Sequence, residues 1–320
     1  MKKTALRDTG VEITELAFGT SGLGDMPETY GYSVDIERAH ATIRAIFDGP
    51  ANVIDTARNY GFGRSEERIG DVIRQRGGLP EGFVISTKLD RDTDTSQFDR
   101  DRARKSLDES LTALSVDRIG LLHLHDPEHA RDLDEITGPG GAIAELFKMK
   151  EEGLAQSVGL AMGRLDIMLP ILKEFPFDAI ISHNRYTLLN RSANEVFDYA
   201  HEAGMAIINA APFASGVLAK GTAKSRLIAY TEATDEELEP VRAIERICAE
   251  HNIPLAAAAL QFSMGDPRIA STLLGVTKPE RVAETMHLAE VSIPQSVWER
   301  VLALPFSAED PEANRDYRMG

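Results

Sequence analysis

Short apolar runs alternate with longer amphipathic segments along the whole chain. The runs are rich in Val and Ile and mostly apolar on both faces, a pattern typical of strands buried in a parallel sheet. They predict strands at Leu16–Gly19, Asn52–Thr56, Phe83–Lys88, Ile119–His125, Gln156–Leu160, Ala179–His183, Met205–Ala210 and Ile269–Leu274. Between them, apolar residues recur at helical spacing, as in the stripe Ile36, Ala39, Ile43, Ile46 and Phe47.

This alternation predicts an α/β fold, a single (β/α)8 TIM barrel over residues 1–320. An open doubly wound sheet is the alternative, but the glycines of residues 19–24 lack the spacing of a dinucleotide fingerprint. Ahead of the first strand, Thr4–Arg7 and Val11–Thr14 flank a turn that ends at Gly10. That pattern predicts an N-terminal β-hairpin plug at the bottom of the barrel, with Gly10 at positive φ.

Turn and cap residues predict where several elements begin and end. The segment Ser65–Glu67 resembles an N-cap followed by an acidic first turn, while Gly153 and Gly204 are placed to end helices. The interval before the last strand is long and holds additional helical sequence, including Pro254–Met264. Residues 306–320 form a polar C-terminal tail that cannot bury much apolar area, so we expect it to lie outside the barrel core.

Composition narrows the function classes. Acidic residues outnumber basic ones by 51 to 35, which gives a formal net charge of −16. That charge repels phosphate backbones and anionic lipids, so we expect a small-molecule substrate as partner, with no nucleic acid and no membrane.

Cys248 is the single cysteine, and we interpret it as a buried, inert thiol. No apolar run reaches the roughly 20 residues of a membrane span, and no secretory stretch follows Met1, so we expect a cytoplasmic protein whose oligomeric state is left open.

Four polar residues lie at or just after the ends of apolar strands, where barrel enzymes place their catalytic groups. Asp55 ends the run Asn52–Asp55, Lys88 and His125 each end a predicted strand, and Tyr60 follows Asp55 by five residues. Each taken alone is as easily a loop boundary, a turn aromatic or a core histidine. Together they combine an acid, a base, an imidazole and a phenol at one end of a barrel.

This combination suits proton transfer by a tyrosine. A free tyrosine has a pKa near 10, so bringing it near 7 requires roughly 4 kcal/mol of stabilisation of the phenolate. Lys88, held and kept charged by Asp55, could supply energy of that order in a partly desolvated pocket. His125 could bond the phenolic oxygen or the reacting oxygen of the substrate. Such a tyrosine protonates a carbonyl or deprotonates a hydroxyl while hydride moves at carbon.

The segments around these residues carry a family resemblance. Asp55–Gly61, Ser65–Gly70, Phe83–Lys88 and Leu122–Pro127 resemble the signature, lysine and histidine segments of the aldo-keto reductases. The resemblance covers about residues 10–303. It implies a (β/α)8 barrel, a nicotinamide cofactor, no metal, a C-terminal segment that shapes the substrate mouth, and a catalytic tetrad of Asp55, Tyr60, Lys88 and His125.

The resemblance also implies a set of cofactor-binding residues. These are Gly19, Thr20, His183, Asn184, Pro212, Phe213, Ser215, Gly216, Gly275, Val276, Thr277 and Arg281. His183 and Asn184 stand where the family has a glutamine for the carboxamide, and residues 159–162 lack the usual Ser-Asn pair. Ala210 replaces the family's stacking aromatic, for which Phe213 could compensate.

The choice between NAD and NADP depends on the segment after the last strand. Thr277 precedes a helix whose N-terminus suits a phosphate. Arg281 matches the family's arginine for a 2′-phosphate, but Gly275 and Val276 replace its usual Lys-Ser pair. We therefore expect NAD or NADP as cofactor, with NAD slightly favoured.

Two further segments, Asn184–Leu189 and Asn209–Leu218, resemble aldose 1-dehydrogenases of the L-fucose and D-threo-aldose class and also pyridoxal 4-dehydrogenase. The leading hypothesis is NAD(P)-dependent oxidation of a sugar hemiacetal with Tyr60 as general acid/base. Pyridoxal 4-dehydrogenase and general aldehyde or ketone reductase activity are alternatives. Two hypotheses of other classes are a Schiff-base barrel aldolase that uses Lys88 and a non-catalytic nucleotide-sensing subunit.

Overall fold

A computed structural model describes residues 1–313 of the chain. Within them, eight parallel strands close into a barrel in the order β12-β3-β4-β5-β6-β7-β8-β9, which confirms the predicted (β/α)8 fold. The barrel strands are β3 Leu16–Gly19, β4 Val53–Asp55, β5 Val84–Leu89, β6 Ile119–His125, β7 Ala155–Ala161, β8 Ala179–His183, β9 Ala206–Ala210 and β12 Ile269–Gly275. Each predicted strand overlaps one of these, so the apolar runs located all eight.

The predicted N-terminal hairpin is present and plugs the barrel. Its strands, β1 Lys3–Ala5 and β2 Glu12–Thr14, pair antiparallel, and Gly10 in the connecting turn has φ 75°. Leu6 and Ile13 join the apolar cluster that fills the barrel interior. The hairpin therefore covers the N-terminal ends of the strands and leaves their C-terminal ends open.

Helices surround the barrel and follow the strands. They are α1 Pro27–Tyr30, α2 Ile36–Phe47, α3 Arg64–Arg76, α4 Arg100–Leu114, α5 Asp134–Thr137, α6 Ala142–Glu151, α7 Leu165–Glu174, α8 Asn194–Glu202, α9 Val217–Lys220, α10 Asp235–Glu250, α11 Leu255–Met264, α12 Pro279–Glu290 and α13 Gln295–Leu302. As expected, Gly153 and Gly204 follow helices at positive φ. No helix in residues 1–313 combines the length and the apolar character of a bilayer span.

The prediction that Ser65 caps a helix is wrong. Gly63, with φ 96°, is the residue that precedes α3, because the chain enters this helix through a left-handed turn. Ser65 lies inside the helix, where its hydroxyl donates to the backbone oxygen of Thr20 at 3.0 Å. It thus links the loops after β3 and β4.

The long interval between β9 and β12 contains the extra structure that the sequence predicted. A small hairpin, β10 Leu227–Ile228 and β11 Thr231–Glu232, is followed by α10 and α11. Thr234 and Glu237 form a capping box at the start of α10. Cys248 lies in this helix, and burial raises the pKa of its thiol to about 11, so the thiol stays protonated and inert.

The described part of the C-terminal tail runs beside the segment that follows β8. Ser307 pairs with Asn190 in an isolated parallel bridge, and its amide donates to the Leu189 oxygen at 2.9 Å. Asn190 Nδ2 donates to the Glu309 oxygen at 2.8 Å. Residues 314–320 of the predicted tail lie outside the described residues.

Candidate active site

The C-terminal ends of the barrel strands open into a cleft of about 1470 Å³. All four predicted tetrad residues line it, together with ten of the predicted cofactor residues, namely Gly19, His183, Pro212, Phe213, Ser215, Gly216, Gly275, Val276, Thr277 and Arg281. Thr20 and Asn184 do not line it. The Thr20 hydroxyl instead donates to the Asp55 backbone oxygen at 2.9 Å, which ties β3 to β4.

An ion pair lies at the floor of the cleft. Lys88 Nζ lies 2.6 Å from Asp55 Oδ2, and both side chains are almost fully buried. The same ammonium donates to the Thr56 backbone oxygen at 2.6 Å. Ser86 donates to the other carboxylate oxygen at 2.7 Å. Because the neighbouring strands β4 and β5 carry these residues, the barrel backbone itself fixes the position of the ammonium.

Tyr60 reaches the floor from the loop after β4. Gly61, at φ 63°, lets this loop pack backbone against backbone, since a Cβ there would lie 2.0 Å from the Gly24 oxygen. The centre of the Tyr60 ring lies 4.9 Å from Lys88 Nζ and 5.8 Å from the ring centre of His125. The structure therefore brings together the four residues that the sequence singled out.

The pKa of Tyr60 differs from the expectation that Lys88 lowers it. Burial raises that pKa well above its usual value, and the nearby carboxylate of Asp55 raises it further. The raised pKa keeps Tyr60 a neutral phenol at neutral pH, and a phenol can donate a proton.

His125 is held by a carboxylate that the sequence reasoning missed. Asp90 Oδ1 lies 2.6 Å from His125 Nδ1, and Asp126 Oδ2 lies 3.7 Å from Nε2. Burial alone would lower the pKa of His125, but the carboxylates of Asp126 and Asp90 outweigh burial and raise it. Alternation along β5 was the available signal, since Asp90 stands two residues beyond Lys88 and thus on the same face.

A second histidine, His123, lies one pleat deeper in the barrel and is fully buried. Neither ring nitrogen has a hydrogen-bond partner among residues 1–313. Burial, then the charge of Lys88, lowers the pKa of His123 well below its usual value. Gly159 provides the space for this ring, because a Cβ there would lie 2.3 Å from His123 Nδ1. His123 is therefore a neutral core residue.

The opposite rim of the cleft is a charged cluster that includes the C-terminal segment. Glu312 Oε1 lies 3.1 Å from His183 Nε2 and accepts from Asn184 Nδ2 at 3.0 Å and from Arg185 Nη1 at 3.2 Å. Arg185 Nη2 also lies 2.7 Å from Asp310 Oδ1. Both residues that were candidates for holding the carboxamide thus contact Glu312.

Charge pairing shifts the pKa values of both partners in the His183–Glu312 contact. Burial alone would lower the pKa of His183, but the Glu312 carboxylate outweighs it and raises that pKa. Burial would raise the pKa of Glu312, but His183 and Arg185 more than offset it and hold the pKa well below its usual range. Both groups are therefore charged at mildly acidic pH.

The other end of the cleft is cationic and lies at the start of α12. Lys278 precedes this helix, and Arg281 lies in its first turn, where it pairs with Glu284 at 2.9 Å. Arg38, which the sequence reasoning missed, enters from α2 and donates to the Thr277 backbone oxygen at 2.6 Å. A helix N-terminus with several cations attracts phosphate groups.

The residues of the cleft fit a nicotinamide dinucleotide. Its volume exceeds the roughly 300–1,000 Å³ of a usual small-ligand pocket, so a dinucleotide and a substrate both fit. The cationic end suits the phosphates, and Phe213 and the small Ala210 also line the cleft. Gly275 adds open space, with no atom within 4 Å of a Cβ placed there.

A parallel barrel with a tyrosine, an ion-paired lysine and a histidine in a dinucleotide-sized cleft defines a barrel oxidoreductase. The chain belongs to the aldo/keto reductase family, which it matches over residues 15–304. It is therefore an NAD(P)-dependent oxidoreductase.

Two characterised relatives are similar to this chain over most of its length, and a solved structure shares its fold. The chain is 30% identical to a pyridoxal 4-dehydrogenase of Microbacterium luteolum, over 93% of this chain and 95% of that protein. It is also 30% identical to a D-threo-aldose 1-dehydrogenase of a Pseudomonas species, over 90% of this chain and 93% of that protein. The holo form of an aldo-keto reductase from Bacillus halodurans superposes with a TM-score of 0.79 at 20% identity. The match covers 99% of this chain and 100% of that chain.

Proposed function

We propose that the protein is an aldose 1-dehydrogenase of the L-fucose and D-threo-aldose class, which oxidises a sugar hemiacetal with Tyr60 as general acid/base. The observation that carries the substrate class is the charged wall beyond His125. It is formed by Asp126, Glu128, His129, Arg164, Asp166, Asp310 and Glu312, all of which line the cleft. A substrate with a hydroxyl on most of its carbons can bond such a wall through charge-assisted hydrogen bonds, whereas an apolar aldehyde cannot.

In this proposal, the tetrad moves one proton. Oxidised nicotinamide, when bound, supplies the hydride acceptor and one positive charge. Tyr60, in its phenolate form, accepts the proton of the anomeric hydroxyl as hydride leaves the anomeric carbon, and a lactone results. Lys88 and the positive charge of the bound cofactor favour that phenolate before the transfer, and Asp55 holds Lys88 in place. His125, whose ring centre lies 5.8 Å from that of Tyr60, orients the reacting oxygen.

The residues at the cationic end would hold the cofactor. Arg38, Lys278 and Arg281 would face its phosphates, and Phe213 would pack beside its nicotinamide. Because position 275 is glycine, no lysine side chain reaches a 2′-phosphate from there, and we infer that NAD serves at least as well as NADP.

Pyridoxal 4-dehydrogenase activity is a second candidate, favoured by one observation. Tyr30 and Tyr32 both line the cleft, and their rings stack with centres 5.9 Å apart. Aromatic faces of this kind suit a flat pyridine ring better than a sugar.

A Schiff-base aldolase receives no support from the geometry. An amine that forms a Schiff base must be reached by the carbonyl of the substrate. The Lys88 side chain is only 2% exposed, and its ammonium is covered by Asp55 and the Thr56 oxygen.

A substrate screen tests the proposal. Initial rates with L-fucose, D-threo-aldoses, pyridoxine-like alcohols and simple aliphatic alcohols would be followed through the absorbance of reduced nicotinamide, with NAD and with NADP. We expect the highest kcat/KM with a sugar. A higher value with the pyridine substrates would replace the proposal by the second candidate, and turnover of aliphatic alcohols alone would overturn both.

A further inference from the structure

Asp90 is a fully buried carboxylate that contacts both His125 and the loop that carries Tyr60. Its Oδ1 lies 2.6 Å from His125 Nδ1, and its Oδ2 accepts from the Asn59 amide at 2.8 Å. Asn59 immediately precedes Tyr60, so a single side chain contacts the ring of His125 and the loop that carries the phenol.

The backbone of Asp90 is itself fixed by helix α4. Its amide donates to the Ser106 hydroxyl at 2.9 Å, and its carbonyl accepts from Arg102 Nε at 2.9 Å. Arg102 in turn pairs with Glu109 at 2.8 Å. The backbone of Asp90 therefore cannot shift without breaking contacts to α4, as expected of a residue that orients another one.

The contact determines which nitrogen of His125 carries a proton. A carboxylate accepts hydrogen bonds only, so at this distance Nδ1 must donate to Asp90. Nε2 then faces the cleft, with Asp126 at 3.7 Å. A ring between two carboxylates is stabilised in its doubly protonated form, in which Nε2 also donates.

We propose that Asp90 is a positioning residue that acts through His125: it keeps Nδ1 protonated, holds the ring as an imidazolium facing the reacting oxygen, and secures the Tyr60 loop through Asn59. The proposal rests on the proposed function, because it assigns His125 the task of donating a hydrogen bond from Nε2 to the substrate oxygen.

Charged and titratable groups face His125 from several of the elements packed against it. Asp90 and Lys88 belong to β5 and the residue after it, Tyr60 to the loop after β4, and Asp126 and His123 to the same segment as His125. The strand on the other side, β7, contributes Ala161, which carries no charge. Lys88 opposes a charge on the ring, while the two carboxylates favour it.

The decisive experiment is ¹⁵N-detected NMR of the histidine rings in the full-length protein. The spectrum of His125→Asn identifies the His125 signals. In the wild type we expect a protonated Nδ1 at every pH at which the protein is folded. A His125 ring protonated on Nε2 alone would overturn the proposal, and this measurement needs no substitution at Asp90.

The variant Asp90→Asn sharpens the test. We expect the titration midpoint of His125 to fall by at least about one pH unit, since loss of an adjacent charge typically shifts a pKa by 1–3 units. We expect kcat to fall roughly 10–100-fold, the usual cost of losing a partner that orients a functional ligand, with little change in KM. Asp92→Asn, which removes a carboxylate two residues further along the same loop, is the matched control and should leave both quantities unchanged.

The outcomes separate this inference from the proposed function. If the His125 midpoint is unchanged in Asp90→Asn, the role of Asp90 is wrong whatever the activity. If the midpoint falls but turnover of Tyr60→Phe matches the wild type, the proton-transfer mechanism is wrong and Asp90 acts on a histidine with another task.

Discussion

The two sides of the cleft are built in different ways. On one side, neighbouring strands carry Asp55 and Lys88, and backbone hydrogen bonds of the barrel fix both positions. On the other side, a loop residue, Arg185, meets Asp310 and Glu312 from the C-terminal segment, and charge pairs hold the two together. We expect the first arrangement to serve as the reaction centre and the second to be a rim that can change without disturbing it.

The difference in burial has energetic consequences. Both members of the Asp55–Lys88 pair are almost fully buried, as are Arg185 and Glu312 on the rim, while Asp310 is 25% exposed. Removing one member of a buried pair leaves an uncompensated charge and typically costs 3–5 kcal/mol. Pairs that reach solvent are screened and contribute less. We therefore expect changes in the strand-built side to abolish turnover and changes in the rim to alter substrate affinity.

The largest effect is expected at Tyr60. Tyr60→Phe retains the ring and removes the oxygen that transfers the proton, so turnover should fall by about 10²–10⁴-fold. Steady-state rates and a cofactor fluorescence titration check this, and cofactor binding should survive. Tyr199→Phe, whose hydroxyl donates to the Leu172 oxygen outside the cleft, is the matched control. A rate for Tyr60→Phe above about a tenth of the wild type, outside the typical range, contradicts the mechanism.

Lys88→Met removes a buried ion pair in the cleft, and its effect can be compared with the loss of an ion pair outside the cleft. Lys150 Nζ lies 2.6 Å from Asp178 Oδ2, so Lys150→Met removes a similar pair away from the reaction centre. Both variants should lose stability, by about 3–5 kcal/mol for the more buried Lys88 pair. Only Lys88→Met should lose turnover of the folded protein to the extent of Tyr60→Phe. Denaturant unfolding and steady-state rates check this, and equal loss of turnover in both variants would falsify the assignment.

Gly275→Lys tests the cationic end of the cleft. The position has open space around it, so the substitution should fold, and the added ammonium should bond a 2′-phosphate. We expect the ratio of NADP to NAD affinity to rise, with Gly275→Ala unchanged, as measured by fluorescence titration. Binding of NADPH a hundredfold tighter than NADH by the wild type would contradict the inference that NAD serves equally well.

The smallest effect is expected at the rim. Glu312→Gln removes the charge that joins His183 and Arg185 to the C-terminal segment, so KM for the substrate should rise several-fold while kcat changes little. Glu309→Gln, an exposed residue of the same segment, is the control. Deletion of residues 306–320 should likewise change KM more than thermal stability. The reverse result for the deletion would show that the tail supports the fold and not the substrate mouth.

The rim also predicts a dependence on pH. Because folding lowers the pKa of Glu312, this carboxylate stabilises the protein at pH values above its ordinary pKa. That stability is lost as the pH falls through the lower pKa of the folded state. Because folding raises the pKa of His183, this residue stabilises the protein at pH values below its ordinary pKa. That stability is lost as the pH rises through the higher pKa of the folded state. The stability difference between wild type and Glu312→Gln should thus be largest between about pH 4.3 and 6.5. Thermal unfolding of both proteins across this range checks it.

Local pattern explains why the strand-built side could be predicted. Short runs that are apolar on both faces define buried strands, and a polar residue at the end of such a run marks the catalytic edge of a barrel. Asp55, Lys88 and His125 therefore followed from positions along the chain, and the resemblance around Tyr60 added the phenol. Asp90 could have been found from the same alternation, but nothing local indicates that it meets the ring of His125.

The sequence by itself determined the eight-stranded barrel, its hairpin plug and the four residues that gather at one end, because hydrophobic period and strand ends are properties of neighbouring residues. Only the tertiary structure decided the pairing of Asp90 with His125, the raised pKa of Tyr60 and the contact of Glu312 with His183. Glu312 and His183 lie 129 positions apart in the chain. Desolvation and charge act through space, so these properties depend on which distant groups the closed barrel brings within a few ångströms.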